Sequence, residues 1–254
     1  MAFLNKKCKK EKTKLVKGKK PYIKKICSIS KIEVWLVDGE YVRRNICEDF
    51  VNFDHHYHMS IIPKNEFWIA KEAKHDETRY YIDRMLTEYR MMVSGASYEA
   101  ANMKGEIFER GERSKSEIMK KLGRKRMHKK EMLAKVHKKV LKSYSDHGKN
   151  LKVWIVNGEL VRDFFYIDFA GGGHDKVYHF IPEGEVWLDD DIAARERKFI
   201  LIHELHERAL MSRGKDYPHG HWKATQVEDY FRHHPRGIDK AIMKEIAKQT
   251  AGRR

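Results

Sequence analysis

The chain contains its own template. A stretch recurs 119 residues downstream without a gap, so any fold must hold two copies of one module. Val34-Trp35-Leu36-Val37-Asp38-Gly39-Glu40 is matched by Val153-Trp154-Ile155-Val156-Asn157-Gly158-Glu159. The register persists through Asp49/Asp168, His55/His174, Pro63/Pro182, Trp68/Trp187, Glu88/Glu207, Gly95/Gly214, Tyr98/Tyr217 and Glu109/Glu228. The copies part where metal chemistry would sit. The second carries His203-Glu204-Leu205-His206-Glu207, then His219 and His221; the first has Arg84-Met85-Leu86-Thr87-Glu88, then Ala100 and Asn102. One working site and one structural sister are the expectation.

Each copy opens with two short apolar-aromatic runs joined by Asp38-Gly39 or Asn157-Gly158, pairs that suit a tight hairpin turn. Further strand-like runs follow, at 59–62 with 66–69 and at 177–181 with 185–188, punctuated by Pro63 and Pro182. The apolar period then becomes helical, from about Asp76 to Ser94 and from about Asp191 to Arg213. Gly95 and Gly214 fit the left-handed position past a helix end, and Ser97 and Asp216 suit the N-cap of a second helix. So short a turn makes the two helices antiparallel. The expected fold is α+β: two tandem homologous modules, each a small antiparallel sheet followed by an antiparallel helical hairpin, joined by a long basic helix.

Charge marks the boundaries. Residues 1–25 hold eleven lysines against Glu11, net +10, and residues 113–149 are net +11. The chain as a whole is only +16, so the remainder is net −5. This divides the chain into a basic disordered arm (1–25), an N-terminal repeat without a metal site (26–113), a basic helical linker (114–149), a C-terminal repeat (150–235) and a basic C-terminal helix or tail (236–254). Lys6, Lys7, Lys9, Lys10, Lys19 and Lys20 in the arm, with Arg124, Lys125 and Arg126 in the linker, are candidates for phosphate contacts. Such contacts are salt-sensitive and carry little sequence preference. A plain solvated surface is the other reading. Cys8, Cys27 and Cys47 form no Cys-x-x-Cys pair, which argues against a disulfide framework or a cysteine metal site. No apolar run is long enough to span a membrane, and the lysine-rich start lacks the apolar core of a secretory signal. A cytoplasmic protein, or a virion-borne one if viral, is expected.

His203 and Glu207 are four apart on a helix and share a face, whereas Glu204 lies about 100° round it. In His-Glu-x-x-His metallopeptidases the first and fifth residues bind zinc and the second polarises water. Here Glu207 replaces the second histidine. The added negative charge suits Zn2+ and also Mn2+ or Fe2+. Around a turn centred between Lys215 and Asp216, His203 and Glu228 fall level across the hairpin. Glu207 and His221 are offset by only about 5 Å. Candidate ligands are therefore His203, Glu207, His221 and Glu228, with Glu204 as general base. Asp168, His174, His206 and Tyr217 are candidates for supporting roles, and His206 is also an alternative ligand to Glu207. His219 is expected on the outer face. In the first copy Arg84 would lie between Glu88 and Glu109, supplying as a guanidinium the charge that an ion supplies in the second.

The His-Glu helix followed by Tyr217, His221 and Glu228 resembles duplicated proteins of tailed phages with a zincin-like metallopeptidase module. The resemblance covers roughly residues 31–113 and 150–232, and it implies a metal-dependent hydrolase acting on peptide bonds. The chain departs from the three-histidine form, since Arg213 stands ten residues after His203. The competing expectation is a nucleic-acid-associated or virion structural protein that uses arm and linker to hold phosphates, with virion proteins as partners.

Overall fold

In a computed structural model, residues 15–122, 127–145 and 151–249 are described. The chain divides into two compact units, Met1–Arg126 and Met127–Arg254, each carrying one copy of the module. Lys6, Lys7, Lys9, Lys10, Arg124, Lys125 and Arg126 lie outside the described residues.

Unit 1 contains strands β1 (Tyr22–Ile29), β2 (Ile32–Val37), β3 (Phe53–His55) and β4 (Glu66–Ala70), with helix α1 (Gly39–Asn45) between β2 and β3. The sheet order is β1-β2-β4-β3. β2 and β4 run parallel, and both outer pairings are antiparallel. The sheet is therefore mixed, not purely antiparallel. Asp38-Gly39 explains the difference. Parallel neighbours cannot be joined by a tight hairpin, and Asp38 instead caps α1 by accepting from the Tyr41 amide at 3.1 Å. Gly39 is required by proximity: a Cβ there would lie 2.6 Å from a Glu72 carboxylate oxygen. Residues 59–62, expected as a strand, form turns in which the Met59 and Ile62 amides donate backward to His55 and Met59 carbonyls.

After the sheet come α2 (Thr78–Val93) and α3 (Tyr98–Arg113), an antiparallel hairpin closed by Gly95 at φ 93° and capped by Ser97, as the sequence predicts. Helix α4 (Glu117–Leu122) follows and buries no residue. Trp68 is fully enclosed, with its indole N–H and the Tyr22 hydroxyl both donating to Glu66. Cys47 is buried in the same core, and Cys27 is free.

Unit 2 repeats the plan. After α5 (Lys129–Val136) come β5 (His137–Val140), β6 (Lys152–Val156), α6 (Gly158–Phe164), β7 (Gly172–His174) and β8 (Glu185–Asp189) in the order β5-β6-β8-β7, again with a parallel central pair. Asn157 caps α6, and residues 177–181 are again turns. The long linker helix is not formed. Met127 and His128 interrupt it, its later part forms the short helix α5, and the residues after α5 become β5, the edge partner of β6 as β1 is of β2. His137 bonds to Glu185 as Tyr22 bonds to Glu66. Two of the sequence boundaries shift accordingly: β1 reaches into the segment expected as an arm, and β5 belongs to the sheet of unit 2.

Helices α7 (Arg197–Met211) and α8 (Tyr217–His233) form the second hairpin, with Gly214 at φ 83° and Asp216 as N-cap. α9 (Ile238–Lys248) then packs on α7 through Ile238, Ile242 and Ile246, one helical stripe buried with Leu201, Ile202 and Leu205. Among the described residues no helix is long and apolar enough to cross a membrane.

Candidate metal centre

The α7–α8 hairpin and the edge strand β7 assemble the site in unit 2. His203 and Glu207 project from one face of α7, and His221 meets them from the first turn and a half of α8. His203 Nε2 lies 3.2 Å from His221 Nδ1 and 3.5 Å from Glu207 Oε2, and His221 Nδ1 lies 2.9 Å from the same oxygen. Three donor atoms thus form a small triangle. Tetrahedral coordination with metal–ligand bonds of about 2.0–2.1 Å places neighbouring ligand atoms about 3.3 Å apart. The triangle has the size of one face of such a tetrahedron.

Glu228 occupies the other side of the His203 ring. Its Oε2 lies 2.8 Å from His203 Nδ1, and its Oε1 accepts from Arg232 Nε at 2.9 Å. Arg232 also bonds to the buried Glu196. Glu228 therefore faces away from the triangle, in the place of a carboxylate that orients a ligating imidazole. The sequence grouped Glu228 with the ligands because it is level with His203; which ring nitrogen it meets is not legible from spacing.

His174, at the end of β7, bonds through Nε2 to Glu207 Oε1 at 3.1 Å. Its Nδ1 accepts from the backbone amide of Lys176 at 3.2 Å. An imidazole nitrogen that accepts carries no proton, so the hydrogen sits on Nε2 and is donated to Glu207. His174, Glu204 and Glu207 also approach one another closely enough to hold an ion. Ligation through Nε2 would move the proton to Nδ1, against the Lys176 N–H. His174 is thus a support for Glu207 through Oε1, and Oε2 is the oxygen that faces His203 and His221.

Glu204 is buried and has no hydrogen-bond partner among the described residues. Burial raises its carboxyl above the ordinary range, with His203 opposing and the charges of Glu207 and Glu228 adding to the shift. Burial also disfavours a charged His203, but the Glu207 and Glu228 carboxylates outweigh it and push that imidazole up to about 10. Burial works against ionised Glu207 too, yet hydrogen bonds from His174, His203 and His221 hold it far below the usual carboxylate range. For Glu228, contact with His203 and Arg232 overcomes burial and brings it to about 2. A proton on His203 thus occupies the charge position that a divalent ion would take, and ion binding would release it.

The other sequence candidates fall outside this group. His206 turns towards α9 and pairs with Glu245 at 3.2 Å. Tyr217 stacks on the His221 ring at 5.3 Å and covers it. Asp168 lies half-buried in the loop between α6 and β7, and His219 is exposed. In the described part of the basic arm, Lys17 pairs with Glu33 and Glu66, and Lys20 lies 3.6 Å from Asp38. Lys19 is exposed.

Unit 1 keeps the framework and changes the contents. His55 bonds to Glu88 at 3.2 Å with its Nδ1 accepting from the Tyr57 amide, and Glu77–Arg113–Glu109 reproduces Glu196–Arg232–Glu228. Arg84, in the place of His203, reaches Glu88 at 2.7 Å and Glu109 at 3.2 Å. Its remaining nitrogen donates to Asn102, the counterpart of His221, at 2.7 Å. Met85, fully buried, replaces Glu204. The guanidinium bridges the two carboxylates as the sequence suggested. Comparison of the chain with family models, curated proteins and solved structures finds no match.

Proposed function

We propose that unit 2 holds a single divalent ion, zinc by preference, and hydrolyses an amide or peptide bond, while unit 1 is its ion-free sister. The observation that carries this reading is the triangle of His203 Nε2, His221 Nδ1 and Glu207 Oε2, matched in size to a tetrahedral face. Three protein ligands leave one position for water or substrate, which separates a catalytic from a closed structural site. When bound, the ion would lower the pKa of water and polarise a carbonyl.

The chain's own groups supply the rest. Glu228 and Arg232 fix the His203 ring, and His174 holds one oxygen of Glu207 so that the other stays available. Glu204 is the general base. Burying a carboxylate without a partner is costly, and the first copy avoids that cost with Met85. The second copy keeps an ionisable group beside the ligand face, raised towards the range in which a base exchanges protons near neutrality.

Metal titration against a chromophoric chelator tests the reading. One zinc per chain is expected, with loss of binding in His203→Ala and His221→Ala and no loss in Arg84→Met. A stoichiometry of zero, or binding that survives both histidine changes, would overturn it. Chelator-sensitive cleavage of an unstructured protein such as casein tests the reaction.

A further inference from the structure

The two helical hairpins share one geometry but not one cover. Arg84 to Glu109 at 3.2 Å and Arg113 to Glu77 at 2.8 Å set α2 level against α3, as His203 to Glu228 at 2.8 Å sets α7 against α8. Residues at equal register therefore take equal places on the two hairpins. In unit 2 one flank of α7 is roofed by α9, whose Ile238, Ile242 and Ile246 are buried with Leu201, Ile202 and Leu205. Among the described residues of unit 1 no helix repeats α9. The same register places Met119, Gly123 and Met127 where the isoleucine stripe would be. Helix α4, which follows the first hairpin, has 6 residues to the 11 of α9 and buries none of them.

The matching flank of unit 1 is left partly bare. Ile82 and Leu86, in place of Leu201 and Leu205, are half-buried, and Phe108, in place of Val227, is 44% exposed. Two substitutions give this flank a chemistry of its own. Asp83 stands where unit 2 has Ile202, and Glu112 where it has Phe231. Glu112 pairs with Lys115 at 2.6 Å, whereas the Asp83 carboxylate accepts no hydrogen bond among the described residues. Burial and the charge of Glu112 raise Asp83 above its ordinary value, with Arg79 opposing.

The complement of this flank can be read from α9. Lys198 meets Asp239 at 2.8 Å and His206 meets Glu245 at 3.2 Å, so α9 runs parallel to α7 and Ile242 is level with Ile202. A helix seated the same way on α2 would set its central stripe residue against Asp83. Arg79 replaces Lys198 and would face the first turn of that helix.

We propose that this flank of unit 1 is a docking site for an amphipathic helix of a partner protein. Its stripe has apolar residues one turn either side of a central lysine or arginine that pairs with Asp83, and an acidic residue in the first turn meets Arg79. The inference is independent of the ion in unit 2.

The probe is a synthetic peptide of residues 236–249 carrying Ile242→Lys, held helical by a hydrocarbon staple between positions 243 and 247, which face solvent in α9. The control is the same stapled peptide with Ile242 kept. Each is titrated onto the full-length chain by fluorescence anisotropy and located by hydrogen exchange. The lysine peptide is expected to protect α2 and α3 and to bind about tenfold tighter than the control. Asp83→Ile should reverse that order, and Phe108→Ser should weaken the lysine peptide roughly tenfold, the loss of one aromatic side chain from the seam. Absence of saturable binding, an order that Asp83→Ile leaves unchanged, or protection of α7 and α8 instead overturns the site. Self-association of the chain that Phe108→Ser abolishes would assign the flank to a second copy and overturn the partner helix.

Discussion

Replacing Arg84 by methionine tests whether the first copy carries a built-in cation. Arg84, Glu88 and Glu109 are all buried. Methionine matches the length of the arginine stem and removes only the charge and the hydrogen bonds to Glu88, Glu109 and Asn102. Removing one member of a buried ion pair costs about 3–5 kcal/mol, chiefly because the partner's charge is stranded. Glu109 keeps Arg113 and Glu88 keeps His55, so the low end applies, about 3 kcal/mol. At about 1.4 kcal/mol per factor of ten, the protected amides of α2 and α3 should exchange roughly a hundredfold faster.

Hydrogen exchange read by mass spectrometry resolves the two hairpins within one chain. Zinc gives the complementary measurement. At a free concentration about a hundred times its dissociation constant it should stabilise its own unit by about 2.7 kcal/mol, slowing α7 and α8 while leaving α2 and α3 untouched. Wild-type exchange of α2 in Arg84→Met, or equal protection of both hairpins by zinc, would refute a built-in cation in the first copy.

Three further outcomes are expected. Glu204→Gln should lower chelator-sensitive hydrolysis by at least a hundredfold while retaining one zinc, measured by activity and metal content in parallel. Asp175, whose carboxylate is paired with Arg208 at 2.5 and 3.0 Å, is held below its ordinary pKa, with burial opposing and the guanidinium prevailing. The stability this gives is present above the unfolded-state value near 3.9 and is lost as pH falls through the depressed folded value. Asp175→Asn should therefore destabilise unit 2 by about 3 kcal/mol at pH 7, and by progressively less in urea titrations taken below pH 4. Finally, removing residues 1–14 should lower the salt needed to elute the chain from heparin, whereas Lys17→Ala should change it little, since Lys17 is already paired with Glu33 and Glu66. Unchanged elution after truncation would remove the case for phosphate binding by the arm.

The helical hairpins were legible because their signals are local: Gly95 and Gly214 end helices, Ser97 and Asp216 begin them, and a level count across the turn places His203 beside Glu228. The sheets were not, because strand order is a long-range property. Asp38-Gly39 and Asn157-Gly158 carry the chemistry of a hairpin turn and of a helix cap alike, and only the parallel pairing of β2 with β4 and β6 with β8 decides between them. β5 was missed for a different reason. His137 pairs with Val156 nineteen residues on, while Tyr22 pairs with Val37 only fifteen on, so an ungapped repeat alignment slides past it. Within the site, the convergence of His203, Glu207 and His221 was readable from spacing. The ring nitrogen that Glu228 meets needed coordinates.

The amide of Lys176 has an effect beyond its own turn. By fixing the proton of His174 on the nitrogen facing Glu207, it directs a hydrogen bond at one oxygen of that carboxylate. A cation that took both oxygens of Glu207 would have to share Oε1 with that hydrogen bond, which favours attachment through Oε2 alone. Calcium, which often fills its large shell with chelating carboxylates, would lose part of the grip it favours, while a small ion satisfied by single contacts would lose little. Discrimination between ions would be set in part by a backbone N–H that never touches the metal.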